Sequence, residues 1–212
     1  MKLAHGKSAF RDVGGKVVSR ADAMFLMVAS GVLAVVSTVL TIIGIAGYFT
    51  GPVTLELPVA GSGQTASGLE LGSTGHYTSL EAVIPAVPTG QAALLAWGGA
   101  LSQMGILAVL ALLFVLAFRL RSAVLFTAGS AWIVGVCGAV LALAGTAGQI
   151  LDGWARTRLA DLIGANGRSD PDFYIFAAEF NIAPLALGLV LVLVAGAFHY
   201  GRRLQKDTEG LV

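Results

Sequence analysis

Four stretches of the chain run uncharged for long enough to cross a bilayer, and they set the architecture before any other feature. They cover about residues 23–49, 92–118, 123–150 and 182–199. A helix of about 20 apolar residues spans the roughly 30 Å of hydrocarbon in a membrane, and each run approaches or exceeds that length. No Asp, Glu, Lys or Arg interrupts them. A charge at the bilayer centre costs about 2.5–3.5 kcal/mol on insertion scales, so the pattern predicts membrane spans rather than helices of a soluble core. The first run follows a polar stretch and lacks a short apolar region with a small-residue cleavage site, so it is expected to be a retained span.

Between the first two runs the pattern changes period. Val53, Leu55, Leu57 and Val59 alternate with Thr54, Glu56 and Pro58, the two-residue repeat of a strand with one apolar face. Leu69–Leu71 and the stretch Tyr77–Ile84 are candidates to pair with it, and the glycines from Gly61 to Gly75 are placed to make the turns. A two-stranded ribbon is marginal in water, so it is expected to lean on the second outer segment or on a partner. That second segment opens with Leu151, Trp154, Ala155, Leu159, Leu162 and Ile163 near one helical face, with Asp152, Arg156 and Asp161 largely elsewhere. This predicts an interfacial amphipathic helix with Trp154 at headgroup level, followed by a polar turn over Gly164–Pro171. Asn181 is placed to cap the last span, and Pro184 falls in its first turn, where a missing amide hydrogen costs little.

The predicted fold class is therefore an all-α membrane protein, a four-helix transmembrane bundle with a small extracytoplasmic β-ribbon and an interfacial amphipathic helix. One membrane domain covers residues 1–212, with outer segments at about 50–91 and 151–181 and tails at 1–22 and 200–212. Charge orients it. Lys2, Lys7, Arg11, Lys16 and Arg20 precede the first span, Arg119 and Arg121 separate the second from the third, and Arg202, Arg203 and Lys206 follow the fourth. Those are ten of the thirteen Lys and Arg residues, and basic residues in short loops stay on the cytoplasmic side. Both termini are thus expected in the cytoplasm of a bacterial inner membrane, with Arg20, Arg119, Arg121, Arg202, Arg203 and Lys206 as basic anchors.

Composition narrows the chemistry. Hydrophobic residues make up 56% of the chain and charged residues 12%, against about 25% charged in soluble domains. A net charge of +1 gives no support for nucleic-acid binding. Cys137 is the only cysteine, which excludes an internal disulfide, a CxxC redox pair and a thiolate metal cluster.

In the third span Ala131, Gly135, Gly138, Ala142, Gly145 and Gln149 fall at alternating spacings of four and three, forming a stripe of small residues on one face. Nothing hydrophobic drives helices together in lipid, so close backbone approach and polar contacts must do it. The stripe is a packing seam, either inside the bundle or between two copies. Gln103 and Gln149 suit interhelical hydrogen bonding or, alternatively, a ligand cavity. His5, His76 and His199 lie in the first tail, the outer loop and the end of the last span, too far apart to ligate haem or zinc together. The chain lacks a GxSxG elbow, an HExxH pair and a phosphate-binding GxxxxGK[ST] loop. No catalytic, cofactor or metal site is expected.

The ending Phe198-His199-Tyr200-Gly201-Arg202-Arg203-Leu204-Gln205-Lys206-Asp207-Thr208-Glu209-Gly210-Leu211-Val212 resembles that of the bacterial DUF2975 membrane proteins, particularly the actinobacterial ones. The resemblance extends to four spans with a strand-rich segment after the first, and more loosely to Phe118–Thr127. Members often carry a Gly-x-Pro-Phe type turn between the second and third spans, where this chain reads Arg121-Ser122-Ala123-Val124-Leu125-Phe126-Thr127. The family implies no established activity, so no catalytic residue carries over, and some members resemble components paired with small helix-turn-helix regulators. A solvated helix end accounts equally for the charges, since Arg202, Arg203 and Lys206 suit a helix C-terminus and Gly210 can end it. Basic juxtamembrane residues also contact anionic lipid.

The functional expectation is a non-enzymatic accessory or regulatory subunit, acting on a membrane or cytoplasmic protein partner and open to homo-oligomerisation. The alternative is a small transporter or lipid-binding protein with a cavity between the spans beneath the outer segments.

Overall fold

A computed structural model describes residues 20–58, 79–121, 128–164 and 180–209. Its elements are α1 (Arg20–Thr50), β1 (Val53–Pro58), β2 (Ser79–Ile84), α2 (Thr89–Arg121), α3 (Ala128–Leu162) and α4 (Ala183–Glu209). All four helices are long and apolar enough to cross a membrane.

Local chemistry sets the helix ends. The Pro88 carbonyl accepts from the amides of Gln91 and Ala92, both at 3.0 Å, which starts α2 as soon as the proline has fixed the chain direction. Asn181 Oδ1 accepts from the Ala183 amide at 2.9 Å, capping α4, and Pro184 occupies the first turn. At the far end of α3, Gly164 adopts a φ of 71°, the left-handed conformation that closes a helix and that glycine takes at no steric cost.

The substantial helix contacts are α1 on α2, α2 on α3, and α3 on α4. Consecutive helices run antiparallel, as Ile45 meets Gly99, Gly105 meets Gly145, and Gly135 meets Ala195. The arrangement is a row with α3 inside and α1 and α4 as its flanks. In their most apolar stretches α1 and α4 bury only 6% and 11% of residues, against 28% and 39% for α2 and α3.

The larger cluster of buried apolar residues among the described ones lies under the ribbon, at that end of α2 and α3. β1 and β2 pair antiparallel with Val53 opposite Ile84, Leu55 opposite Ala82 and Leu57 opposite Leu80. Val53, Leu55, Leu57 and Ile84 face Leu95 of α2 and Ala155, Leu159 and Ala160 of α3. Thr54 and Glu56 point outward, as the two-residue period requires. The ribbon thus leans on residues 155–160 of α3, within the segment that the sequence pattern places outside the membrane.

One boundary differs from expectation. No separate interfacial helix begins after Ile150, because α3 continues unbroken to Leu162. Its 35 residues extend about 52 Å, some 20 Å more than the hydrocarbon of a bilayer. Nothing between Ile150 and Leu162 breaks a helix, and Asp152 and Arg156 bridge one turn at 2.7 Å. The apolar face that suggested a membrane-surface helix is split: Ala155 and Leu159 are buried under the ribbon, while Trp154, Leu162 and Ile163 are exposed. The expected third span also began at residue 123, whereas residues 122–127 lie outside the described residues and α3 begins at Ala128. Leu69–Leu71, the glycines from Gly61 to Gly75, Val59, residues 1–19 and most of the polar turn after Gly164 likewise lie outside them.

Candidate functional site

Three contact zones organise the helices. The first is the small-residue stripe of α3, which faces α4. A methyl group built on Gly138 would stand 2.7 Å from Leu191 Cβ and 2.8 Å from the Gly188 carbonyl oxygen. One built on Gly145 would meet Pro184 at 2.8 Å, and one on Gly135 would meet Ala195 at 3.3 Å. Ala142 presses on Gly188 from the same face, and Ala131 is buried farther along. Gln149 finishes the stripe: its Oε1 accepts from the Asn181 amide at 2.8 Å, and its Nε2 donates to the Gly145 carbonyl at 3.3 Å. The glutamine thereby fixes where α4 begins against α3.

A second seam, between α2 and α3, escaped the sequence reading. Gly148 packs where a methyl would meet Ser102 Oγ at 2.6 Å and the Gly98 carbonyl at 2.8 Å. Gly98, Ser102 and Gly105 recur at spacings of four and three along α2, the same signal that marks α3.

The third zone is polar. Gln103 is 7% exposed and lies between α2 and α1. Its Nε2 donates to Ser37 Oγ at 2.9 Å and to Thr38 Oγ1 at 3.0 Å, and its Oε1 accepts from Thr41 Oγ1 at 3.1 Å. The hydroxyls of Ser37, Thr38 and Thr41 are also bonded to carbonyls of their own helix, at 3.2, 2.7 and 2.9 Å. Removing Gln103 therefore leaves them satisfied. Gln103→Leu is expected to weaken the α1–α2 contact by about 1–2 kcal/mol, since single interhelical hydrogen bonds in membranes measure about 0.6–1.7 kcal/mol. Reversible unfolding in mixed micelles reads that loss.

At the ribbon end, Arg156 links α3 to β1. Its Nε donates to Asp152 Oδ2 at 2.7 Å, and its Nη1 donates to the Glu56 carbonyl at 3.0 Å. Ser79 Oγ donates to Glu56 Oε1 at 2.7 Å across the strands. The pair is partly exposed, so screening limits it. Arg156→Gln is expected to cost no more than about 1 kcal/mol, measured as a small downward shift in thermal unfolding.

The tryptophans mark two levels. Trp132 and Trp154 stand on α3, 22 residues apart, which is about 33 Å along a helix and close to the thickness of bilayer hydrocarbon. Trp97 lies at the Trp154 level, because its neighbour Gly98 packs against Gly148 and Asp152. All three are exposed. Arg158 stacks over Trp154 with 5.7 Å to the ring centroid.

The basic anchors share the end opposite the ribbon. Arg20 opens α1, Arg121 closes α2, and Arg202, Arg203 and Lys206 occupy the last turns of α4. Arg119 donates to Ser130, tying the end of α2 to the start of α3. His199 is exposed on α4, and Cys137 packs half-buried against the cluster of Leu112, Val134 and Ala195. His5 and His76 lie outside the described residues. Among the described residues, no three His, Cys, Asp or Glu side chains converge as metal ligands do. No family model matches the chain, and no curated protein or solved structure matches it either.

Proposed function

We propose that the chain is a four-span protein of a bacterial cytoplasmic membrane that serves as a non-enzymatic accessory or regulatory subunit, acting through contact with another protein. The observation that carries this reading is the closure of α2, α3 and α4 by backbone-to-backbone packing at Gly98, Gly138, Gly148 and Gly188. Helices that approach so closely leave their function to surfaces: the ribbon cap, the exposed flank of α1 and the basic end. The two tryptophan levels support insertion, with Trp97 and Trp154 at one interface and Trp132 at the other. The basic residues at the opposite end from the ribbon support cytoplasmic termini. The C-terminal resemblance to DUF2975 proteins fits the same proposal and adds no activity to it.

Purification from native membranes in mild detergent, followed by mass spectrometry, tests the proposal. A second protein in fixed ratio supports it, and a homogeneous protein without one counts against it.

A second reading, a small transporter or lipid-binding protein, draws on a groove of about 390 Å³ between α1 and α2 below the ribbon. Thr41, Ser102 and Gln103 give it a polar floor, while Leu40, Ile45 and Ile106 supply apolar walls. Substrate movement in reconstituted vesicles is the result that favours this reading over the first.

A further inference from the structure

The two edges of the ribbon differ, and the pairing geometry shows how. Residues opposite one another in an antiparallel pair alternate between exchanging two backbone bonds and pointing those groups away from the partner strand. Pro58 has no amide hydrogen, so its pair with Ser79 is of the second kind, and by alternation so are Glu56–Glu81 and Thr54–Val83. The bond from Arg156 Nη1 to the Glu56 carbonyl, at 3.0 Å, agrees with that alternation, which turns the oxygen off the ladder. On β1, therefore, Pro58 offers no donor and Arg156 already holds Glu56. On β2 the amides and carbonyls of Ser79, Glu81 and Val83 face outward. All three residues are exposed, and among the described residues nothing bonds to those backbone groups.

We infer that the β2 edge accepts an extended segment of another protein as a third strand, and that this segment presents a Lys or Arg opposite Glu81. An open edge offers its backbone groups to any strand, so side chains must select the partner. Glu56 and Glu81 stand directly opposite on the outer face of the ribbon, a pair whose Cα atoms lie about 4.5 Å apart. Neither has an ion-pair partner among the described residues. Like charges directly opposite weaken a ribbon, and a cation on the neighbouring strand relieves them. The same carboxylates disfavour a second copy: antiparallel pairing of β2 with β2, in the register that uses all three outward residues, sets Glu81 against Glu81. Val83, 64% exposed on the same face, favours an apolar residue two places from the cation. The inference rests on the reading of the chain as a contact subunit and deepens it by naming the surface and the partner's chemistry.

The full chain in nonionic detergent, titrated with the fluorescent peptide acetyl-Thr-Val-Val-Lys-Val-Thr-Thr-amide, tests it. In the free chain the amides of Glu81 and Val83 are expected to exchange with solvent faster than those of Ala82 and Ile84, which face β1. Bound peptide should slow the outward pair. The lysine peptide should bind on the order of fivefold more tightly than the same peptide with glutamate in its place. Glu81→Lys, at an exposed position, should reverse that order. Val83→Pro removes an outward amide and none of the ladder's, so it should weaken binding while Ala82 stays protected.

Outward amides already protected in the free chain overturn the proposal, because the chain then covers its own edge. A dimer that Val83→Pro dissociates assigns the edge to a second copy instead. Absence of saturable binding up to about 1 mM lysine peptide, or equal binding of the lysine and glutamate peptides, also overturns it. A protein that copurifies in fixed ratio with the Val83→Pro chain as with the wild type keeps the contact-subunit reading and removes the edge from it.

Discussion

Gly188→Leu is expected to separate α3 from α4, with the largest loss of stability of any single substitution in the spans. A methyl built on Gly188 lies 2.5 Å from the Gly138 carbonyl oxygen, 2.6 Å from Ala142 Cβ and 2.7 Å from the Ala142 amide nitrogen. These are backbone atoms or the first side-chain atom, so no rotamer change relieves the overlap. The helices must move apart, and doing so also breaks the reciprocal approach at Gly138. Overpacking costs about 1–3 kcal/mol when neighbours can adjust. Here they cannot, and in the proposed bilayer setting lipid supplies no hydrophobic force to reseat the pair. A loss beyond about 3 kcal/mol is the expected result for leucine, with Gly188→Ala intermediate. Thermal unfolding followed by size-exclusion chromatography in detergent measures it. Gly196→Leu, two turns along the same helix and facing open space, is the matched control and should melt like the wild type. A Gly188→Leu protein as stable as that control would refute the seam.

How much of this was legible depended on the kind of signal. Uninterrupted apolar runs marked all four helices, because length and apolar composition are properties of each segment separately. The alternation Val53, Leu55, Leu57 marked β1, and β2 falls within the stretch Tyr77–Ile84 assigned to pair with it. The end of α3 was misplaced for a physical reason: the charge of Asp152 marks where hydrocarbon is expected to stop, and a helix need not stop there. Its continuation is held by tertiary burial of Ala155 and Leu159, which no local period reveals. Partners were harder than faces. The stripe on α3 was readable, but its complement on α4, Pro184, Gly188 and Ala195, sits in a run that otherwise reads as uniform apolar span. Gln103 stood out as an interhelical polar residue, yet its partners Ser37, Thr38 and Thr41 became identifiable only once α1 was seen to lie on α2. The order of helices in the row is a property of which seams meet, and hydropathy carries no trace of it.

Leu159→Ala is expected to release the ribbon while the spans stay folded. Leu159 is 1% exposed, packed in the cluster with Val53, Leu55, Leu57 and Leu95. In the proposed membrane arrangement this core lies past the hydrocarbon length of α3, where water restores the hydrophobic effect that is missing between helices in lipid. Truncating a buried leucine there costs about 2–5 kcal/mol, through lost transfer energy and the cavity left behind. The ribbon has little else to draw on, because two strands alone are marginal and the Arg156 link to Glu56 is partly exposed. The loss should therefore appear as local opening rather than global unfolding. Limited proteolysis is expected to cut between α1 and α2 much faster in the variant, while the apolar fragments continue to migrate together. Leu57→Ala should act alike, and the double variant should lose less than the two single losses added, since both deplete one cavity. Leu162→Ala, on the exposed side of the same helix, should stay within about 0.5 kcal/mol of wild type. Unchanged protease resistance in Leu159→Ala would mean that the ribbon is held by contacts other than the α3 extension.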